Sequence, residues 1–486
     1  MSSNDIPSST PDPRDSSEGT SLSGRLRSND GAGVTSATRR RVIIASFIGN
    51  FVEWFDYAVY GYLATTIAVV FFPSGNKKAA LLATFALFAV SFIVRPIGGF
   101  FWGNLGDKIG RKNALAASIL IMSGATFCIG LLPSYAAVGM FAPGLLLLIR
   151  LVQGFSAAGE YAGSSAFLVE YAPPRKRGLY AAVVPASTAA GLLLGSLIAA
   201  LLSSLLTDPQ LNSWGWRLPF LLAAPMGLIG RYIRTKLEDT PEFRELAAKD
   251  DAIKAPTRTL LTQYWRVGLI ASGAVVLNAV GFYVILSYMP TYLSEEMGLD
   301  KTKSYIATTL ALVTYIAFIF GTGMLSDKFG RRRVLITASV LFAIFTVPAF
   351  ALLDTNSFAM ILVIQIVLGG MLTLNDGTLP SFLAELFPTH VRYSGFAISF
   401  NLSNAIFGGT APFVATLLIN TTGSKLAPAY YLAAAALISL VAVFLAKETA
   451  HKALAKAPAS PPAAGEAAQA NQPEPTQPKQ SEGASS

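Results

Sequence analysis

Across 486 residues the chain has one cysteine, Cys128, and two histidines. A lone cysteine excludes an internal disulfide, and its place inside an apolar run predicts a packing role. No His/Cys cluster offers a metal site. No Walker loop is present to grip a nucleotide. The sequence therefore implies no metal, no cofactor, no direct use of ATP and no enzyme activity. Charge is scarce as well. Asp, Glu, Lys and Arg make up 13% of the residues, against roughly 25% in a soluble domain. With 52% apolar residues, a water-soluble globule is excluded. The net charge of +9 does not point to nucleic acid, because the cations sit in short loops on one side of the apolar segments. The expected surroundings are a lipid bilayer.

Several apolar runs exceed the roughly 20 residues that cross a bilayer. About twelve spans are predicted, near 43–72, 79–103, 113–132, 143–172, 178–206, 216–236, 267–294, 304–326, 333–353, 357–387, 392–419 and 427–446. The polar stretch 237–266 divides them into two sets of six. The expected domains are a disordered tail at 1–38, a bundle at 39–236, the linker 237–266, a second bundle at 267–446 and a disordered tail at 447–486. The first tail lacks the apolar core of a secretory signal, so the first span is the expected insertion signal. The second lacks an a/d apolar repeat, so no coiled coil is expected there. With the N-terminus placed inside, 25 Lys and Arg fall in inner segments and 6 in outer ones. That bias predicts both termini in the cytoplasm and a multi-pass protein of the cytoplasmic membrane. The oligomeric state is left open, and a monomer is compatible.

One string occurs twice, at matching places in the two halves. Gly103-Asn104-Leu105-Gly106-Asp107-Lys108-Ile109-Gly110-Arg111-Lys112 recurs as Gly323-Met324-Leu325-Ser326-Asp327-Lys328-Phe329-Gly330-Arg331-Arg332, its aspartate 220 residues further on. Each copy closes one apolar run and opens the next. The cations alone could simply obey the positive-inside rule. An aspartate at the same place twice asks for more, because a carboxylate at a helix end can pair with arginine or accept from a neighbouring helix N-terminus. Asp107, Arg111, Asp327 and Arg331 are thus candidate gate residues between two halves that rock, as in transporters built from internal repeats.

An ionisable side chain in mid-bilayer costs roughly 3 kcal/mol on insertion scales and is read as functional by default. Span one carries Glu53 and Asp56 on one helical face. Span two carries Arg95; span four carries Arg150, Glu160 and Glu170; span ten carries Asp376 and Glu385. Glu53, Asp56, Glu160 and Asp376 fall near mid-depth and are the proton-coupling candidates. Two carboxylates so close in a low dielectric repel, which suits one of them to carrying a proton. The competing reading pairs them with Arg95 or Arg150 to hold helices together. Glu170 and Glu385 lie near the span ends and read as partners of loop cations. Candidate substrate contacts are Trp54, Tyr57, Tyr60, Arg150, Asn278, Tyr283, Tyr288, Asn375, Asn401 and, beside it, Asn404. Aromatics in membrane helices are more often packing or interface anchors than substrate contacts.

The repeated loop resembles the signature of the major facilitator superfamily, and the resemblance runs from about residue 40 to 450. Gly49-Asn50-Phe51-Val52-Glu53-Trp54-Phe55-Asp56-Tyr57, Arg150-Leu151-Val152-Gln153-Gly154-Phe155-Ser156 with Gly159-Glu160-Tyr161, Trp214-Gly215-Trp216-Arg217-Leu218-Pro219-Phe220 and Phe387-Pro388-Thr389-His390-Val391-Arg392 are similar to its metabolite:proton symporters. Ser287-Tyr288-Met289-Pro290-Thr291-Tyr292-Leu293-Ser294 and Lys447-Glu448-Thr449-Ala450 look most like the members that carry proline and betaine. The resemblance implies an all-α membrane protein with about twelve transmembrane helices in two pseudosymmetric six-helix bundles. It also implies that spans one, four, seven and ten line a central cavity, and that a small-molecule substrate enters with a proton. Two interior arginines against six acids favour a zwitterion over a dianion. The alternative is a proton symporter for a carboxylate such as citrate, 2-oxoglutarate or shikimate.

Overall fold

A computed structural model describes residues 36–73, 75–99, 101–102, 111–235, 260, 262–355, 357–388, 391–452 and 454. Among the described residues, main helical segments fall at each of the twelve predicted spans. They are α1 (Ser36–Tyr62), α2 (Lys77–Gly99), α3 (Arg111–Leu131), α4 (Phe141–Tyr171), α5 (Arg177–Leu205), α6 (Ala223–Thr235), α7 (Trp265–Glu296), α8 (Lys301–Phe329), α9 (Arg331–Leu352), α10 (Phe358–Leu386), α11 (Arg392–Thr422) and α12 (Ala427–Leu445). Ten of these regions are long and apolar enough to cross a membrane by themselves. The third is a shorter apolar stretch, Ala116–Leu131, among the described residues. The sixth is reached through a short preceding helix, Arg217–Leu221. The termini at 1–35 and nearly all of the linker 237–266 lie outside the described residues, as does the chain beyond 454.

The pairing of helices repeats between the halves. α1 packs along α5 as α7 packs along α11; α2 on α4 matches α8 on α10; α3 on α6 matches α9 on α12. The halves meet where α5 crosses α8 and where α2 crosses α11, again an exchanged pair. The outer faces carry bare apolar side chains such as Phe141, Leu201, Phe318, Ile344 and Val441. That suits lipid, where small residues and polar contacts inside the bundle hold helices together. Cys128 is on this outer surface, which corrects the expectation of a packing role: its stretch of α3 presents it to lipid.

Four helices lose regular geometry midway. α4 is interrupted at residues 157–159, just before Glu160. α10 breaks at Gly377 and Thr378, just after Asp376. α7 opens into wide π-type turns over Phe282–Tyr288, and α11 does so over Asn404–Gly408. Such turns cluster at functional sites because they free backbone groups and re-aim side chains.

Candidate functional site

The four breaks converge on a small central cavity. α1 supplies Trp54, α4 Tyr161, α5 Pro185 and Thr188, α7 Asn278, Phe282 and Tyr283, α8 Tyr315, α10 Asp376, and α11 Phe400 and Asn404. Its walls close down to room for about one water molecule. Asp376 is its one acid among the described residues. The Asp376 carboxylate accepts from Asn278 Nδ2 at 2.8 Å and from the Tyr315 hydroxyl at 2.6 Å. Trp54, Phe282 and Tyr283 form a cluster of rings with centroids 5.2 to 6.0 Å apart. Tyr161 stacks on Phe400 at 4.2 Å. Trp54 Nε1 and the Tyr283 hydroxyl are buried and have no protein partner.

The acids of α1 lie elsewhere and have separate fates. Glu53 is paired with Arg95 at 3.2 Å, both fully buried. The Arg95 guanidinium lies over Phe92 at 4.4 Å and Tyr57 at 4.6 Å, so rings and carboxylate together replace its hydration. Asp56, one turn on, is buried beside Thr126 and Arg150. Arg150 lies over Tyr60 at 4.2 Å and donates to Gln153 Oε1 at 2.9 Å and Ser91 Oγ at 3.1 Å. Both interior arginines are therefore spent inside the first bundle. Glu160 is buried and accepts from Ser164 at 3.0 Å.

Of the candidate substrate contacts, Trp54, Asn278, Tyr283 and Asn404 line the cavity. Tyr57, Tyr60 and Arg150 form the aromatic and cationic layer behind it. Tyr288 packs on Phe85 and accepts from Thr416 at 3.1 Å. Asn375 is fully buried with both amide atoms unpartnered, and Asn401 donates to the Ala158 carbonyl at 2.8 Å, tying α11 to the break in α4. The lining residues Tyr161, Pro185, Thr188, Phe282, Tyr315 and Phe400 went unnamed as candidate contacts. Tyr315, a hydroxyl in mid-span of an apolar helix, carried a usable signal; Pro185 and the phenylalanines carried none.

The halves touch on both sides of the cavity. At one end the Tyr62 hydroxyl donates to the Leu286 carbonyl, and the Tyr305 hydroxyl to the Tyr62 carbonyl. At the basic end, Asp327 accepts from the backbone N–H groups of Gly178 and Leu179 at 2.8 and 3.0 Å, at the start of α5. It also pairs with Arg331 at 2.7 Å. Arg331 reaches Glu385 at 3.3 Å, and Arg392 reaches Glu170 at 2.9 Å across the halves. Both outlying acids are thus partners of loop-end cations, as their depth suggested. Glu448 closes the N-terminus of α9, accepting from Arg331 N at 2.9 Å and Arg332 N at 3.2 Å. Asp107 and the Arg111 side chain lie outside what is described.

Two helical bundles joined by exchange-related contacts around a central polar cavity define a membrane transporter. The profile described as "Sugar (and other) transporter" matches residues 41–257, and that described as "Major Facilitator Superfamily" matches residues 271–480. The chain is 40% identical to the glycine betaine/proline/ectoine/pipecolic acid transporter OusA of Dickeya dadantii (strain 3937), covering 85% of this chain and 84% of that one. It is 38% identical to the proline/betaine transporter of Escherichia coli (strain K12), covering 85% of each. Among solved structures, the proton:xylose symporter XylE bound to 6-bromo-6-deoxy-D-glucose superposes with a TM-score of 0.69 at 18% identity, over 87% of this chain and 98% of that one. The chain belongs to the major facilitator superfamily, and it is a transporter rather than an enzyme.

Proposed function

We propose that the chain is a proton-coupled uptake transporter for a small zwitterion of the proline or betaine kind. One observation carries the substrate class: the cavity presents an acid and many rings, while Arg95 and Arg150 are engaged outside its lining. A dianion needs cations that this lining lacks among the described residues. A ligand with a positive centre meets a carboxylate and π faces. The names of the relatives point the same way.

Asp56 is the proposed proton carrier. Glu53 is paired with Arg95, whereas Asp56, with Thr126 and Arg150 near it, makes no ion pair among the described residues. Glu160 and Asp376 are its fallbacks. Asp327 and Arg331, with their twins Asp107 and Arg111, are proposed as the gate. The proposed boundaries are bundles at 39–236 and 267–446 joined by the linker 237–266. The basic end faces the cytoplasm, with both termini there, in the cytoplasmic membrane. The test is a substrate panel on the purified protein in proteoliposomes with an imposed proton gradient, including proline, glycine betaine, citrate, 2-oxoglutarate and shikimate. Gradient-driven accumulation of proline or betaine is the expected result. Saturable proton-driven uptake of citrate or 2-oxoglutarate alone would reject the zwitterion and leave the carboxylate symporter.

A further inference from the structure

The cavity holds both an acid and unpartnered donors, and the geometry points to one binding orientation: the cationic head of the substrate sits at Asp376, and its carboxylate is taken by the Trp54 indole N–H and the Tyr283 hydroxyl. This rests on the zwitterion reading above and adds to it the residues that read each end of the ligand. Three observations support it. First, Asp376 is held by two neutral donors that share the cavity lining with it, Asn278 and Tyr315. Those contacts orient the carboxylate and bring no counter-charge, which leaves that role to a cationic ligand. Second, rings gather on the same cavity. Phe282 lies between Trp54 at 5.2 Å and Tyr315 at 6.5 Å, and ring faces attract a quaternary or secondary ammonium that cannot shed its bulk. Third, Trp54 Nε1 and the Tyr283 hydroxyl line that cavity, are buried, and have no protein partner. A buried donor left unmade is costly, so both are set to donate to a ligand acceptor. Neutral donors can hold a carboxylate as they do at oxyanion sites, which removes the need for an arginine.

The orientation has a mechanical consequence. Trp54 belongs to α1 of the first bundle, and Asp376 to α10 of the second. A ligand with one charge at each end bridges the bundles. A ligand with one end missing engages only part of the site.

The test uses the purified full-length chain and three ligands. Glycine betaine has both ends. Its carbon isostere 3,3-dimethylbutanoate has the carboxylate alone, and choline has the cation alone. Affinities are read by ligand-induced thermal shift and calorimetry, which need no turnover. Loss of a charge-assisted contact predicts that Asp376→Asn weakens betaine by about tenfold or more and the isostere by less than about threefold. Trp54→Phe combined with Tyr283→Phe weakens betaine and the isostere alike, by about three- to tenfold, and spares choline. Asp376→Glu keeps the preference for betaine over the isostere. If Asp376→Asn does not fold, the double variant and Asp376→Glu still decide. Equal loss of betaine and the isostere in Asp376→Asn would overturn the assignment. So would equal loss of betaine and choline in the Trp54/Tyr283 variant. A wild-type protein that binds citrate and no zwitterion would instead sink the substrate class itself.

Discussion

Glu53 and Asp56 are three residues apart, and the sequence treats them as equals. Packing separates them: Arg95 from α2 reaches Glu53 at 3.2 Å, while Asp56 lies beside Thr126 and Arg150 with no such pair. Their neutral variants should therefore fail differently. Asp56→Asn is expected to abolish uphill uptake while sparing downhill exchange, because exchange needs no net proton movement. Glu53→Gln leaves a buried guanidinium without its counter-ion, a loss that typically costs about 3–5 kcal/mol. It should appear first as a lower unfolding temperature of the purified protein. Full gradient-driven accumulation in both variants would move the proton site to Glu160 or Asp376. Arg150 makes a third case. Its planar group lies on Tyr60 and donates to Gln153 and Ser91, outside the cavity lining. Arg150→Lys replaces a stacked fork with a point charge, so the expected loss is in stability, with little change in the preference for one zwitterion over another. A strong shift in that preference would place Arg150 at the substrate after all. Which polar residues sit in mid-span was legible from the apolar runs around them. Which of them face each other was not, because that depends on helix rotation set by tertiary contacts.

At the level of elements, the helices and their order follow from apolar runs and turn signals, and most spans lie within a few residues of the sequence reading. The first, read as 43–72, starts at Ser36 and breaks after Tyr62, with Ala64–Phe71 a separate helix, and the sixth, read as 216–236, has its long helix at Ala223–Thr235. The breaks were not legible. Nothing in the Phe282–Tyr288 string looks unlike a regular apolar helix, yet it opens into wide turns where α7 meets the cavity. The junction proposed as the gate was half legible. Recurrence marked Asp327, while its partner, the start of α5, carries no motif of its own. Asp327 accepts two backbone N–H bonds at that helix start and one guanidinium. Asp327→Asn removes a charge from this junction, at a cost of about 1–3 kcal/mol for charge-assisted bonds. Because those bonds form when the basic end is closed, the variant should shift the population toward states open at that end. Spin-label distances between residues near the starts of α5 and α9 would lengthen in the mutant. Unchanged distance distributions would remove the gating role.

For the molecule as a whole, the question is what permits two rigid bundles to seal one end and then open it. The cavity is flanked on one side by the Tyr62, Leu286 and Tyr305 contacts and on the other by Asp327, Arg392 and their partners. The two halves come close at the basic end through two glycines, Gly178 on α5 and Gly323 on α8. A Cβ built on Gly178 would stand 2.4 Å from the Gly323 carbonyl oxygen, and one on Gly323 would stand 2.7 Å from that of Gly178. Backbone meets backbone there, so no side chain can yield, and the bundles must separate to admit even a methyl group. Gly323 belongs to the repeated loop, which ties the motif to closure by shape as well as charge. Gly323→Val should therefore keep the basic end open: ligand still binds from that side, but net transport falls to background. Replacing Cys128, which faces outward, with serine gives a cysteine-free background for the measurement. A single cysteine placed at Ser326 on that background should change from poorly to readily labelled by a water-soluble maleimide when Gly323→Val is added. If labelling stays low and transport persists, the two helices close by another route. The gate would then rest on the ion pairs of Asp327 and Arg392 alone, and the Asp327→Asn distances would become the deciding measurement.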